Sequence, residues 1–266
     1  MRTKIDTQRH AGRAYVVTGG GSGIGAAAAI RLAAEGAVIT IADIRLELAA
    51  DVARSIRSEG GQAIAVACDV SSEADVSQMM ASGVEAFGPP DGLFANAGTA
   101  GSGWIHETDL ADWNRILAVN LTGAFLCAKH VLPHFLGRGS GVFLSTGSIA
   151  SVIIGAGGSA ASYAASKGGL LQLTRQIAVD YGPQGVRAVC ICPGAVKTGL
   201  PQHATEDRQL QNTPKGKPLP RSGITTPLPR AADPDEVATV ASHLFSDDAS
   251  FITGCAVFVD GGLTAI

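Results

Sequence analysis

The chain has 266 residues, of which 46% are hydrophobic and 16% are charged, and its formal net charge is −3. This length and composition indicate one globular domain, large enough for an α/β fold, and exclude an intrinsically disordered chain. No Lys/Arg stripe, secretory signal or apolar run near the ~18 residues of a membrane span is evident, so we expect a cytoplasmic protein that binds neither nucleic acid nor membrane.

Strand-like and helix-like segments alternate along the chain. Short apolar runs predict strands at 13–18, 37–42, 63–68, 92–95, 141–146, 186–192 and 255–259. The intervening stretches predict helices at 23–36, 45–60, 72–87, 110–136, 160–181 and 234–245, with an interruption or bend near Pro133. This order predicts a single doubly wound Rossmann domain, in which helices cover both faces of a parallel seven-stranded sheet.

We expect one structural domain that contains one long irregular segment. We expect residues 1–11 to form a polar tail and residues 12–266 to form a single dinucleotide-binding and catalytic domain. A proline-rich stretch at about 199–232 follows the sixth strand, at the sheet edge where open α/β proteins bind ligands. We interpret it as a substrate loop, with a plain surface insertion as the alternative.

A glycine-rich turn, residues 18–25 with the sequence TGGGSGIG, follows the first strand and opens the first helix. Glycines allow a tight turn and let a pyrophosphate approach the helix N-terminus, where free N–H groups favour an anion. The turn lacks the Gly-Lys-Ser/Thr ending of nucleoside triphosphatases. A merely flexible turn is the alternative, but the position between strand and helix favours a dinucleotide site.

Asp43 stands at the end of the second strand, eighteen residues after Gly25. An acidic group at this place accepts hydrogen bonds from the adenosine ribose hydroxyls and repels a 2′-phosphate. No Lys or Arg lies in the glycine turn, and Arg45 is the nearby candidate for a phosphate partner. The sequence therefore predicts NAD as the cofactor in preference to NADP.

Tyr163 and Lys167 are four residues apart in a predicted helix, so their side chains share one face. An ammonium beside a phenol favours the phenolate, whose ordinary pKa is about 10. Such a pair in a dinucleotide-binding chain indicates hydride transfer coupled to proton transfer at a carbon–oxygen bond. An exposed helical Tyr–Lys pair with no chemical role is the alternative.

Other reactive side chains do not form a metal pattern. Cys190 and Cys192 share a strand face and are expected to be small buried hydrophobic residues. His130 and His134 have helical spacing, but no Glu lies between them and Pro133 would distort a site. We therefore expect no metal.

The ordered motifs resemble those of the short-chain dehydrogenase/reductase family, from about residue 12 to residue 262. The motifs are the glycine turn, Asp69-Val70, Asn96-Ala97-Gly98, Asn120, Ser148, Tyr163 with Lys167, Pro193-Gly194 with Thr198, and Asp260-Gly261-Gly262. Each is weak alone, whereas the whole set, with each member at its expected strand end, is specific.

The resemblance implies a role for each catalytic candidate. Tyr163 would be the general acid/base, and Lys167 would lower its pKa and bind the nicotinamide ribose. Ser148 would hydrogen bond the substrate oxygen, while Asn120 would hold a water in a proton relay. The implied cofactor contacts are Gly19, Gly21, Ser22, Gly23, Ile24, Gly25, Asp43, Ile44, Asp69, Val70, Asn96, Ala97, Gly98, Tyr163, Lys167, Pro193, Gly194, Val196 and Thr198.

The serine assignment leaves alternatives. Ser145, Ser148 and Ser151 all lie near the end of the fifth strand. We choose Ser148 because the residues around it best match the family motif. It precedes Tyr163 by fifteen residues, which is longer than in many members and implies a longer loop within 152–159.

These patterns predict an NAD(H)-dependent oxidoreductase that interconverts a secondary alcohol, polyol or cyclic diol with its ketone. The resemblance also implies a homotetramer. A sugar-nucleotide epimerase or dehydratase on the same fold is one alternative, although its glycine spacing and longer C-terminal region differ. A dinucleotide-binding regulator without turnover is another, but it would not need the proton-transfer residues.

Overall fold

The computed structural model describes residues 9–101, 103–153, 161–199 and 226–265. Within them, the apolar runs form one parallel sheet in the order β3-β2-β1-β4-β5-β6-β7. The strands are β1 (Ala14–Thr18), β2 (Val38–Asp43), β3 (Gln62–Ala67), β4 (Gly92–Ala95), β5 (Gly141–Thr146), β6 (Val186–Pro193) and β7 (Ala256–Val259). The predicted doubly wound Rossmann sheet is confirmed.

Helices connect the strands and begin at residues suited to that place. They are α1 (Gly23–Ala34), α2 (Leu46–Ser58), α3 (Glu73–Phe87), α4 (Leu110–Leu117), α5 (Gly123–Arg138), α6 (Ala161–Tyr181) and α7 (Pro234–Phe245). Ser72 caps α3 by accepting a hydrogen bond from the Asp75 backbone N–H. Pro234 occupies the first turn of α7, where its missing N–H costs no helical hydrogen bond.

The core has two halves because side chains alternate across the sheet. Val17 and Ile39 face α1, α2 and α7, in a cluster that also contains Leu32. Val16 and Phe143 face α3, α5 and α6 on the other side of the sheet. Both faces of the central strands are therefore buried, which explains their nearly continuous apolar sequences.

The long helical region after β4 is interrupted at a different place from the predicted one. A π-helical turn, Ala118–Thr122, separates α4 from α5, whereas Pro133 lies inside α5. Pro133 removes a hydrogen bond to the carbonyl of Lys129, and that residue is solvent-exposed, so water can satisfy the carbonyl. The proline is therefore tolerated inside α5. The irregular part of this region is the π-helical turn, which contains Asn120.

The region Leu110–Arg138 is long and apolar enough to cross a membrane on length and composition alone. Half of its most apolar stretch is buried inside the fold. Val131 and Phe135 are fully buried against the sheet. Burial of this kind is what the core helix of a water-soluble domain shows.

Two predicted segments fall largely outside the described residues. Only Gly199 and residues 226–232 of the substrate loop are described, and residues 154–159 of the loop before Tyr163 lie outside as well. Where the chain is described again, Ala232 pairs with Val196 in a parallel bridge. At the other end, residues 1–8 of the predicted tail lie outside, but His10 is buried, which corrects the expectation of a polar tail through residue 11.

His10 belongs to a buried polar network at the edge of the sheet opposite the strand carboxyl ends. Its Nδ1 lies 3.0 Å from the Tyr15 hydroxyl, and its Nε2 lies 3.2 Å from the Ser242 hydroxyl. Ser242 in turn donates a hydrogen bond to Glu35, which also pairs with Arg31. The network joins the chain before β1 to α1 and α7.

The burial of His10 predicts a pH-dependent stability. Burial lowers its pKa from 6.5, although Glu35 opposes the change. The unfolded chain therefore binds a proton at His10 more readily, and stability is lost as the pH falls below about 6.5. His10→Gln should flatten this loss, measured as the melting-temperature difference between about pH 7.5 and about pH 5.5. His106→Gln, at an exposed histidine, is the control and should keep the melting-temperature difference of the wild-type protein. An unchanged difference in His10→Gln would show that His10 does not cause the loss of stability.

Candidate active site

A cleft of about 620 Å³ opens at the carboxyl ends of the central strands. Because all strands are parallel, the residues that follow them meet at this edge. Of the sequence-predicted site residues, the following line the cleft: Gly19, Ser22, Gly23, Ile24, Asp43, Ile44, Asp69, Val70, Asn96, Ala97, Gly98, Tyr163, Lys167 and Thr198. Gly21, Gly25, Asn120, Ser148, Pro193, Gly194 and Val196 are not among its lining residues.

The glycine turn brings backbone, and not side chains, to the cleft. Gly19 has a φ of +61°, a conformation that other residues rarely adopt. A Cβ at Gly25 would lie 2.2 Å from the Gly19 carbonyl oxygen, so only glycine fits there. Ser22 stands at the start of α1, and its side chain makes no capping hydrogen bond. The first N–H groups of α1 therefore face a space suited to a phosphate.

Asp43 is the acid next to this turn. Its carboxylate accepts hydrogen bonds of 3.0 Å from the backbone N–H groups of Gly21 and Arg45. Each carboxylate oxygen has a further lone pair, and Asp43 lines the cleft although it is only 7% exposed. Asp43 thus braces the glycine turn and still offers acceptors to a ribose. The cradle and this acid together fit a dinucleotide.

Asp69 and Val70 form the next part of the cleft wall. The Asp69 carboxylate accepts hydrogen bonds from the N–H and hydroxyl of Ser71, at 2.9 and 2.7 Å. A Cβ at Gly123 would lie 2.7 Å from the Val70 side chain, so α5 packs closely behind Val70. The two residues are held rigidly where the family resemblance predicts the adenine.

Asn96 ties three strand ends together. Its Nδ2 donates to the carbonyls of Thr18 and Gly19, at 3.1 and 3.2 Å. Its Oδ1 accepts a hydrogen bond of 2.9 Å from the Thr146 hydroxyl. The Thr18 hydroxyl accepts the backbone N–H of Asn96 and of Ala97. The amide therefore fixes the glycine turn relative to the end of β5.

Tyr163 and Lys167 lie on one face of α6, as predicted, with the Lys167 Nζ 5.7 Å from the centre of the Tyr163 ring. The ammonium donates a 2.7 Å hydrogen bond to the carbonyl of Thr146. Its burial lowers the pKa of Lys167 to about 8, and the thiols of Cys190 and Cys192 oppose this change. The lysine is therefore fixed by the backbone of β5.

The electrostatics of the phenol differ from the expectation. Burial is the largest influence and raises the pKa of Tyr163, while a hydrogen bond with Ser148 lowers it. Burial disfavours the charged phenolate, a cost that the helical spacing of Tyr163 and Lys167 does not reveal. Positive charge from Lys167 and from an oxidised nicotinamide would oppose this cost.

The three candidate serines have different partners. Ser148 lowers the pKa of the Tyr163 phenol through hydrogen bonding. Ser145 is fully buried and lies 2.8 Å from the Thr174 hydroxyl. The Ser151 hydroxyl donates to the carbonyl of Lys167 at 2.9 Å. Of the three, Ser148 is the one that influences the pKa of the predicted acid/base.

Asn120 lies in the π-helical turn and is buried. Its side chain exchanges hydrogen bonds with the backbone N–H and carbonyl of Thr99, at 2.8 and 2.9 Å. It also donates to the Ser166 hydroxyl at 3.0 Å. A Cβ at Gly98 would lie 3.3 Å from Asn120 Oδ1 and 3.4 Å from Lys167 Nζ, so the two side chains approach each other over Gly98.

The loop after β6 closes one side of the cleft. A Cβ at Gly23 would lie 3.1 Å from the Thr198 methyl group, so Thr198 sits directly over the glycine turn. A Cβ at Gly194 would lie 2.9 Å from the backbone of Asp260, which explains the glycine there. Pro193 ends β6, and Val196 pairs with Ala232.

Several cleft residues were not predicted from the sequence. Thr146 is the most connected of them, since it binds Asn96 through its hydroxyl and Lys167 through its carbonyl. The sequence feature that could have identified Thr146 is its position at the end of β5. Gly147 follows Thr146 directly after β5. The others are Cys68, Ser71, Thr99, Arg115, Ala118 and Val119.

The cysteines behave as the strand pattern indicates. Cys190 and Cys192 share one buried face of β6, with their sulfur atoms 3.8 Å apart. Cys68 and Cys127 are also buried. Across the described ranges, no cluster of three or more His, Cys, Asp or Glu side chains suits a metal ion.

Comparison with known proteins identifies the family. Residues 19–264 match a family model described as enoyl-(acyl carrier protein) reductase. The chain is 40% identical over 257 residues to meso-2,3-butanediol dehydrogenase of Serratia marcescens, covering 95% of both chains. It is 40% identical over 255 residues to cis-4-hydroxycyclohexanecarboxylate dehydrogenase of Sinomonas cyclohexanicum, covering 96% of this chain and 97% of that one.

Among solved structures, 3-ketoacyl-(acyl-carrier-protein) reductase from Brucella melitensis complexed with NADH superposes with a TM-score of 0.83. The two sequences are 31% identical, and the match covers 96% of this chain and 99% of the other. The parallel sheet, the glycine turn and the Tyr163/Lys167 pair agree with these relationships. The chain belongs to the short-chain dehydrogenase/reductase family of oxidoreductases.

Proposed function

We propose that this protein is an NAD(H)-dependent oxidoreductase that interconverts a secondary alcohol, in particular a polyol or cyclic diol, with the corresponding ketone. The observation that carries the proposal is that Tyr163 and Lys167 line the same cleft as the glycine turn and Asp43, while Ser148 lowers the pKa of Tyr163. Relatives named for butanediol and for a hydroxycyclohexane carboxylate favour this substrate class.

Tyr163 moves the proton. It deprotonates the alcohol in oxidation and protonates the alkoxide in reduction. The hydrogen bond from Ser148 favours the phenolate, and the buried ammonium of Lys167 stands 5.7 Å from the ring. Ser148 also orients the substrate oxygen, because its hydroxyl already lies at the phenol. When bound, the dinucleotide supplies the hydride acceptor or donor and, when oxidised, a positive charge.

The fit of the cleft supports NAD as that cofactor. Free N–H groups at the start of α1 suit the pyrophosphate, and Asp43 suits the adenosine ribose hydroxyls. The related reductase of known structure was solved with NADH. Ile44, Asp69 and Val70 form the adenine end of the cleft, while Pro193, Gly194, Val196 and Thr198 hold the nicotinamide end.

Asn120 takes part in a proton relay with Lys167. The π-helical turn directs its amide toward Thr99 and Ser166, beside the Lys167 ammonium. The water of this relay is the one that the family resemblance assigns to Asn120. A π-helical turn inside a longer helix is frequent at functional sites.

The protein assembles as a cytoplasmic homotetramer. Large apolar side chains are exposed to water in the described part of the chain, and an interface with another copy would cover them. Val179, Phe251 and Phe258 are exposed, and Phe258 lies in β7, the last strand of the sheet. Leu110, Phe125 and Leu136 are exposed on α4 and α5.

The activity is tested with a panel of secondary alcohols and polyols in the presence of NAD⁺. We expect NADH to accumulate in proportion to the alcohol consumed. Tyr163→Phe and Ser148→Ala should each lower kcat by about a hundredfold or more, because they remove the proton acceptor and its oriented partner. Tyr181→Phe, the same change at the end of the same helix, is the control. Binding of NADH without turnover on any panel member would favour a regulator instead.

The cofactor preference is tested separately. NAD⁺ should exceed NADP⁺ by at least about tenfold in kcat/KM, since a 2′-phosphate would meet the Asp43 carboxylate. Asp43→Asn should narrow this ratio by removing the charge while keeping the size. Asp51→Asn removes a charge from the exposed face of α2 and should leave the ratio unchanged. An equal or reversed preference in the wild-type protein would refute the role of Asp43.

A further inference from the structure

Ser151 joins two parts of the candidate site that come from different segments of the chain. The first part is the serine turn, residues 147–151 after β5, which carries Ser148. The second is the helix α6, which carries Tyr163 and Lys167. The Ser151 hydroxyl accepts a hydrogen bond of 3.2 Å from the Ser148 backbone N–H and donates one of 2.9 Å to the Lys167 carbonyl.

The serine turn is itself held in shape by its side chains. The Ser148 hydroxyl accepts a hydrogen bond from the backbone N–H of Ala150 at 3.1 Å, while Ser151 reaches back to Ser148 in a reciprocal cap. The Ser148 side chain is thereby held in one orientation, and Ser148 lowers the pKa of the Tyr163 phenol. Ser151 is thus one hydrogen bond away from the residue that touches the acid/base.

Close packing leaves the serine turn little room to move. A Cβ at Gly147 would lie 2.6 Å from Cys190 Sγ and 3.1 Å from Ser151 Oγ, so the turn rests directly on β6. On the helix side, a Cβ at Gly168 would lie 3.9 Å from the Ser151 carbonyl oxygen. The Ser151 hydroxyl therefore sits where the turn, β6 and α6 meet.

Ser151 does not act on the substrate itself. Its hydroxyl proton is already donated to the Lys167 carbonyl and is therefore not available to a substrate oxygen. Ser148, by contrast, lowers the pKa of the Tyr163 phenol. Any effect of Ser151 on the reaction must pass through Ser148, Lys167 or both.

We propose that Ser151 is a positioning residue, whose hydroxyl locks the serine turn to α6 and so holds the Ser148 hydroxyl at Tyr163. The catalytic consequence rests on the proposed alcohol dehydrogenase function, whereas the lock itself is a property of the folded chain. Loss of the hydroxyl loosens Ser148 and weakens its hydrogen bond with the phenol.

The lock is tested without any substrate by titrating the Tyr163 phenol. NMR of isotope-labelled tyrosine gives a signal for each of the three tyrosines, and Tyr163→Phe assigns the relevant one. Because the Ser148 hydrogen bond lowers the pKa of Tyr163, Ser148→Ala should reduce the acid dissociation constant of the phenol about three- to tenfold. Ser151→Ala should also reduce this constant.

The double variant separates positioning from general loosening. If Ser151 acts through Ser148, adding Ser151→Ala to Ser148→Ala should change the titration no further. The proposal would be overturned if Ser151→Ala changed the phenol pKa equally in the wild-type and Ser148→Ala proteins. It would also be overturned if Ser151→Ala did not change this pKa in the wild-type protein. Ser246→Ala is the control, since Ser246 donates a similar hydrogen bond to the His243 carbonyl far from the cleft.

Kinetics add a second measurement. Ser151→Ala should lower kcat about tenfold and leave the dissociation constant of NAD⁺ unchanged, as the loss of one hydrogen bond predicts. Ser151→Thr keeps the hydroxyl and should retain activity, whereas Ser151→Val has the same shape without it and should not. The comparison of Ser151→Thr with Ser151→Val also tests the role of the hydroxyl if Ser151→Ala fails to fold. A wild-type protein inactive on every alcohol would refute the proposed function, while the titration would still decide the role of Ser151.

Discussion

The amide of Asn96 is the interaction on which the rest of the site depends. It binds the carbonyls that begin the glycine turn and, through the Thr146 hydroxyl, the end of β5. The Thr146 carbonyl in turn holds the Lys167 ammonium. The proposed cofactor cradle and the proposed proton-transfer group are therefore connected by consecutive hydrogen bonds across three strand ends, and their separation is set by the sheet.

Burial, more than the charge of Lys167, governs the chemistry at Tyr163. Enclosing the phenol raises its pKa, and enclosing the ammonium lowers that of Lys167. Both changes oppose the charged pair that the sequence suggests, since a low-dielectric site disfavours each ion. Ser148 counteracts part of this cost, and the remainder is left to positive charge that enters the cleft. In the proposed mechanism, proton transfer at Tyr163 therefore depends on the positive charge of the oxidised cofactor.

Much of the fold and of the site was predictable from the sequence because parallel sheets obey a simple geometric rule. Motifs that follow consecutive strands must meet at one edge, so Gly19, Asp43, Asn96 and Tyr163 were expected together, and all four line the cleft. The prediction failed where side-chain packing decides. Pro133 is accommodated inside α5, where Lys129, four residues earlier, is solvent-exposed, and His10 is buried because Ser242 and Glu35 meet it from distant elements.

The sequence by itself determined the order of strands and helices, the glycine turn and the helical spacing of Tyr163 and Lys167, since these depend on local periodicity and on residue type. Only the tertiary structure decided that a threonine carbonyl anchors the lysine and that Ser151 bridges the serine turn to α6. These contacts join residues from separate elements. Their distances follow from how the helices pack on the sheet, which no local pattern encodes.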